Sequence, residues 1–222
     1  MSSDSFARDV VNGEVVCPEE AASSAGRGDG SWLFFRKFLE TGKQVASFFP
    51  SSRYFSKKIC HHVDPQTPQT IVELGAGTGP ATRVAMEKMH PQSRLIAVEL
   101  DPDLAKVCAA RCPRAEVLCC DAQHLPDNLD QLEVDHIDLL LNCLPTPSLP
   151  RSVNEKVFRC FAERSDRAWL SQPTVMPLVF RPLYERLFET VEFQFTPLNV
   201  PPAGVYHCCG LREGYTQYLP GK

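Results

Sequence analysis

Long apolar runs are missing from this chain of 222 residues. No stretch approaches the roughly 18 to 20 consecutive apolar residues that a membrane-spanning helix requires. The first residues, MSSDSFARDVVNGEV, lack the basic stretch and the apolar core of a secretory signal peptide. We therefore expect a soluble, cytoplasmic protein.

The sequence also has little that would bind a metal, although it contains ten cysteines. They form no Cys-x-x-Cys pair and no regular spacing with histidine, which the common zinc sites require. His61 and His62 beside Cys60 lack a second pair of ligands. Free cysteines behave as small buried apolar residues in reducing compartments, so we expect structural thiols and no metal.

An overall excess of positive charge is absent too, because the net charge is −4. This balance argues against a nucleic-acid binder. The charge is uneven, since residues 1–30 carry −4, residues 31–62 carry +5 and the remaining 160 residues carry −5. Residues 1–30 are rich in Ser, Ala, Gly and acids and are predicted to form a flexible tail.

Residues 31–62 have the pattern of a basic amphipathic helical extension. The apolar-face positions are 35, 38, 39, 42, 45, 46 and 49, with Gly42 as a weak point. Pro50 ends or kinks this helix, and Ser51 or Ser52 can cap a second basic helix that runs to about His62. The domain proper is then predicted over residues 63–222.

Strand and helix patterns alternate through that domain. Strands are predicted at 70–74, 94–99, 115–119, 136–142, 167–171, 189–195 and 204–211, and helices at about 79–90, 102–111, 151–164 and 180–188. Such alternation indicates βαβ units and a mostly parallel sheet. No helix separates the last two strands, so we expect a C-terminal antiparallel hairpin in a seven-stranded α/β fold.

A glycine-rich turn, ELGAGTG at residues 73–79, follows the first predicted strand. Glycines at this turn allow a tight bend and a close approach of the backbone to a ligand. A dinucleotide-binding GxGxxG motif would need glycine where this chain has Pro80. The GxGxG spacing, with Glu73 two residues upstream, resembles motif I of class I S-adenosylmethionine-dependent methyltransferases, which have a Rossmann-like fold.

Other carboxylates continue this pattern at the ends of the next strands. Glu99 ends the second predicted strand, where a carboxylate can accept hydrogen bonds from ribose hydroxyls. Asp121 and Ala122 follow the third strand, where the resembled family reads the adenine amino group, whereas Asp101 is predicted to cap a helix. The resemblance implies S-adenosylmethionine as cofactor, bound by Glu73, Gly75, Gly77, Gly79, Glu99, Asp121, Ala122 and Asn142.

The fourth predicted strand leads into NCLPTPSLP at residues 142–150. We expect this stiff loop to lie beside the transferred methyl group, because ligands bind at the carboxyl ends of parallel strands. It lacks the aromatic residue that rRNA adenine methyltransferases place against a flipped base. It is similar instead to the Gly-Leu-Pro-x-x-x-Leu-Pro loop of bacterial phospholipid N-methyltransferases, with Cys143 at the glycine position.

Two further stretches resemble that family, and the likeness spans about residues 32–212. Pro50-Ser51-Ser52 follows the basic helix, and NVPPAGVY at 199–206 is similar to the family's Asn-x-Pro-Pro-Ala-x-Val-Tyr. The family has Gln-x-Thr-Tyr after the fifth strand, whereas this chain ends that motif at Val175. The resemblance implies methylation of a phospholipid amine such as phosphatidylethanolamine.

One tryptophan, six phenylalanines and six basic residues within 31–62 fit a helix that lies in the headgroup plane of an anionic membrane. The alternative is a lid helix that packs its aromatic stripe on the domain. The first interpretation predicts a peripheral enzyme on the inner face of the membrane, with a lipid amine as substrate.

The predicted reaction needs little acid–base machinery, because the sulfonium of the cofactor is already activated. Asn142 and Gln172 are the predicted catalytic residues and would orient the amine through their carbonyl oxygens. Three alternatives stay open: a methyltransferase for a soluble small molecule, one for rRNA adenine, and a catalytically inactive cofactor-binding relative.

Overall fold

The computed structural model describes residues 51–197 and 202–221. The helices are α1 (Ser51–Ile59), α2 (Pro80–Lys88), α3 (Pro102–Arg111), α4 (Leu125–Gln131), α5 (Arg151–Glu163) and α6 (Pro177–Leu187). The strands are β1 (Thr70–Leu74), β2 (Arg94–Glu99), β3 (Glu116–Cys119), β4 (Leu139–Asn142), β5 (Trp169–Thr174), β6 (Phe188–Thr196) and β7 (Ala203–Leu211). Short 3₁₀ turns at 122–124, 146–148 and 215–218 complete the described elements.

The seven strands form one sheet in the order β3-β2-β1-β4-β5-β7-β6. The first five strands are parallel, while β7 runs antiparallel to both β5 and β6. The predicted mostly parallel sheet with a C-terminal antiparallel hairpin is therefore confirmed. The strand order reverses between β1 and β4, so the carboxyl ends of these two strands border the crevice where such sheets bind ligands.

Helices cover both faces of the sheet, which explains why its central strands are continuous apolar runs. Ile71 and Leu95 face the core that α1, α2 and α3 close, with Ala85 and Cys108 among the helix residues. The opposite face packs against α4, α5 and α6, and its largest buried side chains include Phe158 of α5.

Several predicted boundaries shift in the structure. The strand predicted at 136–142 begins at Leu139, and the strand predicted at 167–171 continues to Thr174. The last helix begins at Pro177 because proline suits the first turn, where its missing N–H needs no partner. Helix α4 was not predicted, and the helix predicted to reach His62 ends at Ile59.

The predicted tail and the first amphipathic helix, residues 1–50, lie outside the described residues. Within the described ranges, no helix is both long and apolar enough to cross a bilayer. None of the nine cysteines there forms a disulfide, and all but Cys143 are buried. No cluster of metal-ligating side chains occurs in this part of the chain.

Three histidine rings pack together where the end of α1 meets the sheet. The His62 ring stacks on Trp169 with centroids 3.8 Å apart, and the His207 ring lies 5.0 Å from His62 and 5.3 Å from His61. Ser171 Oγ is 2.9 Å from His207 Nδ1. Burial, followed by the neighbouring imidazoles, lowers the pKa of His62 to about 4 and that of His207 to about 3.

These depressed pKa values make the fold sensitive to acid. The unfolded chain, whose histidines have pKa values near 6.5, binds more protons than the folded chain from about pH 6.5 downward. The free energy of unfolding should therefore fall as the pH is lowered from 7 to 5. His207→Gln should flatten this dependence in urea titrations, whereas His124→Gln, at an exposed histidine, should keep the wild-type slope. Equal slopes in all three proteins would contradict the expectation.

Candidate active site

The glycine-rich turn after β1 is built on backbone positions that only glycine adopts easily. Gly75, Gly77 and Gly79 have φ angles of +74°, +58° and +82°. A Cβ added at Gly75 would lie 2.9 Å from Leu144 Cδ2, whereas a Cβ at Gly77 would meet none of the described residues within 4 Å. The turn is packed on one side and open at Gly77, which leaves room for a ligand beside its backbone.

Glu99 ties this turn to the end of β2. Its Oε2 accepts a hydrogen bond from the Gly77 N–H at 2.7 Å, and its Oε1 accepts one from the Asp101 N–H at 2.9 Å. The residue is 2% exposed, and burial raises its carboxyl pKa while these backbone hydrogen bonds oppose the rise. The Leu100 N–H also donates to this carboxylate, so a single lone pair is left to accept a hydrogen bond from a hydroxyl group.

Glu73 lies at the start of the same turn and is 1% exposed. Burial raises the pKa of its carboxyl to about 8, although a hydrogen bond from Thr82 opposes the shift and the nearby Cys108 and Glu99 add to it. Its Oε2 has no hydrogen-bond partner among the described residues. A carboxyl with this raised pKa is largely protonated at pH 7, so the unpartnered oxygen can donate or accept a hydrogen bond, and leaving it unpaired in the interior is costly.

Asp121 follows β3 and caps the short turn that begins at Ala122. Its carboxylate accepts a hydrogen bond from the Gln123 N–H at 2.9 Å. Asp101 caps α3 in the same way through the Asp103 and Leu104 N–H groups, as predicted. The structure thus gives Asp121 a capping contact, and the predicted adenine contact stays a prediction.

The predicted catalytic residues Asn142 and Gln172 meet at the carboxyl edge of the sheet. Asn142 Nδ2 donates to Gln172 Oε1 at 2.9 Å and to Thr146 Oγ1 at 2.8 Å. Thr146 Oγ1 donates in turn to Gln172 Oε1 at 3.0 Å, and Gln172 Nε2 donates to the Leu144 carbonyl at 2.9 Å. The two amides are therefore neighbours, but their roles differ.

Only one of the two carbonyl oxygens is left for a substrate. Gln172 Oε1 already accepts two hydrogen bonds, which fills both of its lone pairs. Asn142 Oδ1 is buried and has no partner among the residues described. The sequence-based prediction had assigned both carbonyl oxygens to the amine, whereas the geometry leaves only that of Asn142.

Thr146 was not singled out from the sequence, although it links the two amides. The loop that carries it is fixed to the body of the domain: Cys143 N–H donates to the Leu74 carbonyl at 2.9 Å, and Asn154 Nδ2 donates to the Thr146 carbonyl at 3.0 Å. A polar residue between Pro145 and Pro147 in a loop after a parallel strand was the available signal. The stiffness predicted from the prolines thus has a hydrogen-bonded basis.

Comparison with known proteins agrees with this geometry. Residues 71–162 match the family described as Methyltransferase domain. The ornithine lipid N-methyltransferase of Singulisphaera acidiphila is 36% identical over 188 residues, which cover 83% of this chain and 98% of that protein. The chain therefore belongs to the same methyltransferase family as this relative. It is an S-adenosylmethionine-dependent methyltransferase of class I, as the motif resemblance had indicated.

Solved structures share the fold at low sequence identity. The O-methyltransferase from Bacillus cereus, in complex with SAH, gives a TM-score of 0.56 at 11% identity, covering 87% of this chain and 96% of that one. Phosphoethanolamine N-methyltransferase 1 of Haemonchus contortus gives 0.57 at 14% identity, covering 84% of this chain and 49% of that one. The magnesium protoporphyrin IX methyltransferase of Synechocystis gives 0.57 at 8% identity, covering 84% and 100%.

Proposed function

We propose that this methyltransferase transfers a methyl group from S-adenosylmethionine to the amine of a lipid headgroup at an anionic membrane surface. The cofactor supplies a methyl group that a positively charged sulfur already activates. The residues proposed to hold it are Glu73, Gly75, Gly77, Gly79, Glu99, Asp121, Ala122 and Asn142. The open side of Gly77 and the unpartnered Glu73 Oε2 support this assignment.

The free carbonyl oxygen of Asn142 is the observation that carries the proposal of an amine substrate. Asn142 of β4 is the strand partner of Leu74 of β1, the residue directly before Gly75. Its side chain therefore lies next to the proposed cofactor site. An amine N–H can donate to Asn142 Oδ1, which would aim the nitrogen lone pair and exclude water from the reacting pair. The activity named for the 36% identical relative supports a lipid as the carrier of that amine.

An amide has no basic group, so Asn142 cannot remove a proton from the substrate. A protonated ammonium has no lone pair, and it must lose its proton to water before the methyl group is transferred. The role of the side chain is therefore to align the neutral amine. Gln172 supports Asn142 instead of touching the substrate.

Exposed apolar side chains at the same edge of the sheet support a membrane surface. Val175 and Met176 directly follow β5 and are 47% and 48% exposed, and Leu178 in the first turn of α6 is 87% exposed. Phe195 of β6 is 51% exposed and pairs with Gly204, which also pairs with Thr174 at the end of β5. An exposed apolar patch of this kind is suited to the headgroup region of a bilayer.

Val175 is also the position where the phospholipid methyltransferases that this chain resembles have tyrosine. It brings no hydroxyl group to the acceptor side of the site. A headgroup would then rely on Asn142 for its polar contact to the amine, with Val175 as part of the apolar patch.

Replacing Glu99 tests the cofactor assignment. The change Glu99→Gln sets an NH₂ group against backbone N–H groups that now donate to the carboxylate, and it removes the charge. Hydrogen bonds to charged groups contribute about 1.5–3 kcal/mol, so calorimetry should show roughly 10- to 100-fold weaker binding of S-adenosylmethionine.

Glu116→Gln is the matched control for this change. Glu116 forms an ion pair of 2.9 Å with Arg94, and it lies at the start of β3, at the edge of the sheet opposite the carboxyl ends. It should leave cofactor affinity unchanged. Normal binding by Glu99→Gln together with lost binding by Asp121→Ala would show that the ribose assignment is wrong.

The function itself is tested with tritiated S-adenosylmethionine and vesicles of phosphatidylethanolamine, with and without anionic lipid, and with a total lipid extract. We expect label in a lipid amine and faster transfer on anionic vesicles. Label only in soluble amines or in RNA would favour the corresponding alternative. Cofactor binding without transfer to any acceptor would indicate an inactive relative.

A further inference from the structure

We propose that Thr146 is a positioning residue that locks the Asn142 amide with its carbonyl oxygen toward the acceptor amine. The inference rests on the proposed function, because that function assigns the amine to Asn142 Oδ1. The amide and its two direct partners are buried: Asn142 and Gln172 are 2% exposed and Thr146 is fully buried.

The direction of each hydrogen bond follows from Gln172. Its Nε2 donates to the Leu144 carbonyl, which can only accept, so its Oε1 must face Asn142 and Thr146. Asn142 must then present its NH₂ group to that oxygen. Turning the Asn142 amide over would set its Oδ1 about 2.9 Å from Gln172 Oε1, with two acceptors facing each other. The network therefore selects one of the two amide orientations.

Thr146 joins the two amides. Its hydroxyl proton goes to Gln172 Oε1 at 3.0 Å, and its oxygen accepts from Asn142 Nδ2 at 2.8 Å. These two contacts fix the rotation of the hydroxyl group. Asn154 Nδ2 holds the Thr146 carbonyl at 3.0 Å and so fixes the backbone of the same residue.

The consequence is a single free acceptor with a fixed direction. Asn142 Oδ1 is the oxygen of this cluster that lacks a partner in the described residues. A substrate amine that donates to it meets an acceptor that does not have to be reoriented. Loss of the lock should lower the rate of methyl transfer more than it lowers binding, because alignment acts on the reacting geometry.

The lock can be tested without any substrate. In ¹⁵N NMR spectra, the wild-type Asn142 side-chain NH₂ should give two separate, slowly exchanging signals, assigned by their loss in Asn142→Ser. Thr146→Val keeps the shape of the side chain but removes the hydroxyl. Hydrogen exchange of the Asn142 NH₂ group should then become at least about tenfold faster, because the unlocked amide is more populated. Thr146→Ser should restore slow exchange. Unchanged exchange in Thr146→Val would overturn the inference.

The use of the lock is tested by kinetics on phosphatidylethanolamine vesicles. Thr146→Val should lower kcat about 10- to 100-fold. Its calorimetric affinity for S-adenosylmethionine should stay within about twofold of wild type. Thr146→Ser should recover most of the rate. Equal losses of cofactor affinity and kcat would overturn the inference in favour of a structural role. Absence of lipid methylation by the wild type would refute the proposed function, while the exchange measurement would still decide the lock.

Discussion

Gly77→Val should remove measurable cofactor binding while the protein stays folded. Gly77 has a φ of +58°, a region in which a β-branched residue is strained by about 1–3 kcal/mol. The added side chain would also occupy the open space beside the turn, since no atom of the described residues, apart from the chain neighbours, lies within 4 Å of its Cβ. Together we expect a loss of about 3 kcal/mol or more, which is roughly 100-fold or more in affinity.

The strain and the loss of ligand space can be separated with a second glycine. Gly214 has a φ of +72° and precedes the 3₁₀ turn at 215–218, after the end of β7 at the opposite edge of the sheet. Gly214→Val should lower the melting temperature about as much as Gly77→Val but leave calorimetric affinity for S-adenosylmethionine unchanged. A folded Gly77→Val protein with normal affinity would contradict the assignment of the turn.

The sheet could be predicted from sequence because parallel strands buried on both faces leave a strong signal. β1 and β2 are runs of apolar residues bounded by turn formers, and their predicted limits match the structure. Helix α4 gave no such signal: in seven residues it has only Leu125 and Leu129 to bury, and it contains Pro126. Its stability comes from tertiary packing against α5, which a local pattern does not contain.

The end of β5 was predicted too early because Pro173 cannot donate to a neighbouring strand. The position of Pro173 in the sheet explains why the strand can continue past it. β5 pairs with β4 only through Ser171, so Pro173 lies beyond the last parallel contact and pairs only with Val205 of the antiparallel neighbour.

The candidate site was predictable in its residue types but not in its hydrogen bonds. Glu99 and Asn142 follow strands whose carboxyl ends must meet at one edge, so their proximity to the glycine turn follows from topology. The sequence does not reveal that Gln172 Oε1 is already filled or that Thr146 completes the network. Those facts depend on side-chain geometry within about 3 Å, which spacing along the chain does not encode.

Reversing two charges in the basic segment should abolish membrane binding. Arg36→Glu with Lys37→Glu changes the charge of residues 31–62 from +5 to +1. Each basic residue near an anionic surface contributes about 1 kcal/mol, so the change removes about 2 kcal/mol of attraction and adds repulsion of similar size. Co-sedimentation with anionic vesicles at low salt should fall roughly 1000-fold in affinity, and wild-type binding should weaken as salt is raised.

A second pair of residues controls for total charge. Lys156 and Arg159 are exposed on α5, and reversing both to Glu changes the net charge by the same amount at a different surface. That variant should keep most of its vesicle binding, because attraction to a membrane falls off within about a Debye length of the charged surface. Leu178→Gln, in the apolar patch beside β5, should weaken binding by less than the charge reversal and with little dependence on salt.

Cofactor affinity should be nearly unchanged in all three variants. Within the described residues, Lys156, Arg159 and Leu178 make no hydrogen bond to the turn from Gly75 to Gly79, and none of the proposed cofactor contacts comes from residues 31–62. This separates a docking defect from a damaged active site. Wild-type protein that ignores anionic vesicles at low salt would refute the membrane role. The amine held by Asn142 Oδ1 would then have to come from a soluble molecule, and methyl transfer to a water-soluble headgroup analogue should proceed as fast without vesicles as with them.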